Sequence, residues 1–231
     1  MAEERVDRRD LLKFGALAAI GVIGVDVLTA FADEKPATTQ NSPVKTSGNK
    51  GVKSPLFRDP MLDGATDPTL IFNRQTHEWW MFYTARRATA EGEGVAWVHG
   101  TDIGVASSKD GKSWLYRGVA NGLNFEPGRN TYWAPEVIWH DGNYHMYVTY
   151  ITGVPTAWVG DRRILHYTSK NLWDWEFKSV LTLSSNRVID AGIYPLPNGD
   201  WRMWYKDEAN HSHIYAADSS DLNKWTVKGP V

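Results

Sequence analysis

The chain of 231 residues is 42% hydrophobic, 13% aromatic and 23% charged, with 25 Lys and Arg against 27 Asp and Glu and no cysteine. That composition belongs to a globular chain of one domain by length. The near-neutral balance leaves no basic surplus to neutralise phosphates, which argues against nucleic acid as a partner, and without Cys there is no disulfide framework. All 12 Trp lie at or after Trp79, so the folded part begins late and is rich in rigid aromatic side chains suited to packing sheets or stacking on sugars.

Residues 1–32 read as an export signal. Arg8 and Arg9 precede Leu11, Leu12 and Lys13, an uncharged run extends from Phe14 to Val25, and Ala30-Phe31-Ala32 offers a cleavage site. The run is too short to span a bilayer. Its paired arginines resemble the bacterial twin-arginine signal, which implies a periplasmic or extracellular destination and no membrane attachment after cleavage; an uncleaved amphipathic anchor is the alternative. Residues 33–55 are Pro, Thr, Ser, Asn, Gly and Lys with almost nothing apolar, a linker that cannot bury enough surface to order itself. The domain is expected over residues 56–231.

Three units repeat within it. Asp67-Pro68 leads through Leu70 and Phe72 and a polar turn into Trp79–Thr84. Thr131–Trp139 leads through the Asp141-Gly142 turn into Tyr144–Tyr150, and Asp190–Tyr194 leads through Asn198-Gly199 into Trp201–Lys206. The second strands align on Met81, Met146 and Met203. Each unit closes on an Ile, a Ser five residues later and a Trp six residues after that: Ile103, Ser108, Trp114; Ile164, Ser169, Trp175; and Ile214, Ser219, Trp225. A gapless register found three times is an internal repeat. Its structural reading puts Ile in the core, Ser at a turn and Trp against the next unit. Short strands in four-stranded repeats predict propeller blades of about 56–120, 121–180 and 181–231, with a solenoid as the rival. Residues 85–101, 120–130 and 151–161 are long connections, and if they gather at one end Trp97 and Trp158 become candidates for lining a cleft.

Asp67-Pro68, Trp133-Ala134-Pro135-Glu136-Val137 and Val188-Ile189-Asp190 together resemble the five-bladed propeller glycoside hydrolases of family 43 and its relatives such as family 117, over about Leu56 to Val231. The resemblance implies an all-β, five-bladed propeller of which this chain holds about three four-stranded blades. It implies Asp67 as general base and Asp190 as the residue that tunes the acid and holds the sugar, with Glu136, Trp133, Trp97 and Trp158 as substrate-lining residues. The general acid of that family is a Glu opening a fourth blade, for which this chain has no counterpart. The family pattern also has Asp where Glu136 stands and Pro where Ala191 stands.

The implied reaction is inverting hydrolysis of a polysaccharide or oligosaccharide. One carboxylate activates water while a protonated partner roughly 6.5–9.5 Å away serves the leaving oxygen. A third carboxylate raises the acid's pKa by like-charge repulsion. Closing a ring needs about four to eight blades, so three predict a piece of a protein of roughly 350 residues, inactive as it stands. A carbohydrate-binding propeller without catalysis and a protein-interaction scaffold are the other classes. No metal set is legible: His211 and His213 share a strand face, but no further ligand accompanies them, and His140, His145 and His166 form no set. No cofactor is expected, nor does any residue identify the axial calcium ion that related propellers sometimes hold; oligomeric state is not readable.

Overall fold

Alternating apolar and polar residues can pair into sheets only if each strand's buried face finds another sheet, and here three meanders solve that together. The computed structural model of the protein describes residues 54–231; the export signal and most of the linker lie outside those residues. Twelve strands form three antiparallel sheets of four. The first holds β1 (Ala65–Asn73), β2 (Glu78–Ala85), β3 (Ile103–Ser108) and β4 (Leu115–Val119). The second holds β5 (Thr131–His140), β6 (Asn143–Ile151), β7 (Arg163–Ser169) and β8 (Glu176–Val180). The third holds β9 (Val188–Pro195), β10 (Trp201–Asp207), β11 (His213–Ser219) and β12 (Thr226–Pro230). In each sheet the strands stand in chain order, as in a propeller blade. The only helical element among the described residues is a 3-10 turn, Ala96–Val98.

The repeated Ser and Trp have a shared local cause. Ser108 Oγ accepts the N–H groups of Asp110 and Gly111, Ser169 Oγ those of Asn171 and Leu172, and Ser219 Oγ those of Asp221 and Leu222, at 2.9–3.3 Å. These bonds fix a turn whose last residue has positive φ: Gly111 at 69°, Leu172 at 66° and Leu222 at 62°. The turns of sheets two and three deliver their Trp to a sheet interface, but in the direction opposite to the one expected. Trp175 packs edge-on against Phe82 of the preceding sheet at 5.7 Å, and Trp225 against Tyr147 of the preceding sheet at 5.7 Å. Tyr147 Oη also donates to Leu222 O at 2.5 Å. The core therefore lies between sheets. One cluster joins Phe82 and Val105 to Val137, Met146, Leu165 and Trp175, and another joins Tyr147 and Ile164 to Met203, Tyr205 and Leu222.

The first strand of every sheet is interrupted near its start. Pairing shifts between Thr66 and Thr69 in β1, between Trp133 and Glu136 in β5, and opposite Trp204 to Lys206 in β9. Asp67, Ala134 and Asp190 sit in these bulges with φ of 51°, 44° and 60°. A left-handed backbone at a non-glycine residue is strained and bends the strand. Ala134 shares the geometry without a carboxylate, so the bulge is part of the architecture, and sheets one and three have placed an acid on it.

Candidate active site

Register determines which loops surround these bulges. Ala65 pairs with Ala85, Thr131 with Ile151 and Val188 with Asp207. Strand starts β1, β5 and β9 therefore share one end with the β2–β3, β6–β7 and β10–β11 connections and with residues 120–130 and 181–187. The long loops do gather at one end.

Asp67 Oδ2 accepts from Thr84 Oγ1 at 3.1 Å and from Thr66 Oγ1 at 3.3 Å, with Arg86 Nη2 at 3.5 Å. Thr84 Oγ1 itself accepts the Ala134 N–H at 2.8 Å. The same link recurs one sheet on, where Asp190 N–H donates to Thr149 Oγ1 at 3.2 Å. Thr84, Thr149 and Lys206 each follow the aligned Met by three residues, so sheet three carries an ammonium where its neighbours carry a hydroxyl. Although its surface is partly open to solvent, the Asp190 carboxyl is pushed above the ordinary carboxylate range, first by loss of solvation and next by the Asp67 charge; Lys206 and Arg86 oppose the rise and Glu208 adds to it. The charge of Asp67 thus reaches Asp190.

Glu136 does not occupy the bulge. It lies two residues further along β5, is 6% exposed, accepts from Thr69 Oγ1 at 3.1 Å and from Ile193 N–H at 3.2 Å, and so ties the three first strands together. Its carboxylate is thus buried between β1 and β9. Trp133 is buried, donates from Nε1 to Val98 O at 2.6 Å and packs against the buried His99 at 4.9 Å. The exposed Trp158 ring lies 5.8 Å from His99 and 6.3 Å from Trp133, so the structure brings Trp133 and Trp158 together. Trp97 is exposed beside them in the 3-10 turn. His99 Nδ1 contacts Val95 O at 3.1 Å while Nε2 is buried without a partner, and burial lowers its pKa.

Sequence reasoning passed over Thr84, Thr149, Arg86, His99, Arg162, Lys206 and Glu208. The two Thr and Lys206 were visible at a fixed offset from the aligned Met; the others come from loops or long-range pairing. Separately, a cleft of about 570 Å³ at the rim is lined by Asp102, Leu123, Glu126, Arg129 and Tyr132 among others, and neither Asp67 nor Asp190 reaches it. Among the described residues no group of three or more His, Cys, Asp or Glu is placed to hold a metal ion.

No protein-family profile matches the sequence. The chain is 29% identical over 177 residues to a 1,2-β-oligomannan phosphorylase of Thermoanaerobacter sp. (strain X514), an alignment covering 74% of this chain and 57% of that protein. Among solved structures it is similar to a family 117 glycoside hydrolase of Zobellia galactanivorans, with TM-score 0.59, 17% identity, and coverage of 74% of this chain and 58% of that one. A thermostable family 43 glycoside hydrolase gives TM-score 0.55 and 20% identity over 71% of this chain and 51% of its own. The chain therefore spans just over half the length of these relatives. Three four-stranded meanders and these neighbours define the class: an all-β chain of propeller blades.

Proposed function

We propose that this chain carries part of the catalytic centre of an exported propeller enzyme that cleaves glycosidic bonds of a polysaccharide or oligosaccharide with inversion. Asp67 is the general base. Held as an acceptor by two hydroxyls and facing Arg86, it is suited to take a proton from water attacking the anomeric carbon. Asp190 is the modulator whose charge raises the pKa of the acid that protonates the leaving oxygen. That acid is assigned to no described residue and belongs to a further blade of a five-bladed ring. Trp97 and Trp158 offer exposed rings for sugar faces.

The observation that carries this reading is the placement of two carboxyls on equivalent bulges of β1 and β9, at the end where the loops gather, with Asp67 acting on Asp190. The 1,2-β-oligomannan phosphorylase relative makes phosphate a second acceptor to test beside water. The test is a panel of plant, algal and fungal oligosaccharides, read by ligand-detected NMR for binding and by product analysis for release, with and without phosphate. Binding without release is expected for this chain alone, and loss of binding in Trp158→Ala. No binding to any neutral or acidic glycan sinks the reading.

A further inference from the structure

Three stretches knot together beside Asp190. Arg162 N–H donates to Asn186 O at 2.8 Å, Val188 N–H to Arg162 O at 3.0 Å and Glu208 N–H to Arg187 O at 2.8 Å. This fixes Arg162, Arg187, Lys206 and Glu208 on adjoining backbone. Arg162 is 2% exposed; its Nε lies 2.9 Å from Glu208 Oε2 and its Nη1 donates to Gly160 O. The other oxygen of Glu208 meets Lys206 Nζ at 3.3 Å. One carboxylate thus serves two cations.

Arg187 is a third. It is half-buried, its Nε is shut off from solvent without a partner, and it forms no ion pair or side-chain hydrogen bond among the described residues. The neighbouring acids are committed elsewhere: Asp161 to Asn186 and Arg163, and Asp207 to Ser184, Ser185 and Asn210. The Arg187 charge acts on Arg162, while the carboxylate of Glu208 is shared between Arg162 and Lys206 and does not pair with Arg187, so an anion joining Arg187 would offset like charges held close together. A planar fork of N–H donors suits a carboxylate, sulfate or phosphate oxygen pair.

We infer that Arg187, with Arg162 and Lys206 behind it, seats an oxyanion at the edge of the Asp67 and Asp190 site, and that the substrate is an acidic sugar carrying a carboxylate or sulfate. This rests on the glycan-cleaving reading above and adds the substrate's charge to it. Lys206 links the anion seat to Asp190, so an occupied seat draws positive charge away from that carboxyl.

The experiment is calorimetric titration of the chain with galacturonate, glucuronate and sulfated galactose oligomers, each beside its neutral counterpart, and with inorganic phosphate. At least one acidic oligomer is expected to bind about tenfold more tightly than its neutral counterpart at low salt, an advantage that shrinks at high salt. Arg187→Gln removes the advantage, and Arg187→Lys, which keeps the charge, restores part of it. Equal affinity for every acidic and neutral pair, with no phosphate binding, overturns the inference and leaves the glycan reading standing. Phosphate binding that Arg187→Gln abolishes, with acidic and neutral sugars bound equally, keeps the oxyanion seat and overturns the acidic sugar in favour of free phosphate. Silence from every sugar and from phosphate overturns both readings.

Discussion

The hydroxyl of Thr84 lies 3.1 Å from Asp67 Oδ2, and it already accepts the Ala134 N–H at 2.8 Å. Its single proton is thereby directed at the carboxylate. One side chain of sheet one thus holds the bulge of sheet two in place and donates to Asp67. Replacing it with Val keeps the shape and removes both bonds. Thr84→Val should cost about 1–3 kcal/mol, because the Ala134 N–H loses its acceptor. Urea denaturation against wild type checks this; an unchanged midpoint in the variant defeats the assignment.

Glu136 binds Thr69 of β1 and the Ile193 N–H of β9 from its place in β5. Glu136→Ala leaves buried groups unpaired at both contacts, at about 1–3 kcal/mol each, whereas Glu136→Gln retains an acceptor and a similar shape. Chemical denaturation should rank wild type above Gln and Gln well above Ala. Sugar affinity in Glu136→Gln should stay near wild type, since the side chain is buried between Thr69 and Ile193; a selective loss of affinity with stability intact contradicts a purely structural role.

His145 Nδ1 and His166 Nε2 are 3.0 Å apart in a buried pair, with His166 stacked on Tyr147 at 4.6 Å. Burial lowers both pKa values below the ordinary 6.5; for His166 the His145 charge lowers it further, with Lys178 in the same direction and Asp221 opposing. With folded values depressed, the unfolded chain takes up protons first as pH falls. The contribution of the pair is complete above about pH 6.5 and drains away below it, by up to about 1.4 kcal/mol per pH unit for each proton. Melting temperature should fall between pH 7 and pH 5, and His145→Gln should flatten that slope. An unchanged slope in the variant places the acid sensitivity elsewhere.

The meanders and the closing turns were legible because they depend on local chemistry: alternation, Asp-Gly and Asn-Gly turns, and a Ser whose oxygen caps its own turn. Asp67 and Asp190 each open a repeated first strand, so the sequence alone puts them at equivalent ends of sheets one and three. Pro68 and Pro135 mark Asp67 and Ala134 as counterparts, and Glu136 lies two residues further along β5. The direction of Trp packing and the pairing of Arg162 with Glu208 depend on how sheets stack, which no local pattern encodes.

Phe82, Tyr147 and Trp204 each follow the aligned Met by one residue, and the first two are covered by the closing Trp of the next sheet. Trp204 stands in the same place and is 37% exposed, and Ile214 is 44% exposed where Ile103 and Ile164 are 1% and 0%. The face of sheet three thus repeats the chemistry of a covered face. Phe82→Ala should cost about 3–5 kcal/mol, as truncating a filled aromatic site does, and Trp204→Ala under about 1 kcal/mol in this chain. Supplying a further four-stranded unit with its own closing Trp, fused after Val231, should bury Trp204, shift its fluorescence to the blue and raise the cost of Trp204→Ala toward that of Phe82→Ala. Equal small costs in both contexts show that the repeat at this position does not extend to a fourth partner.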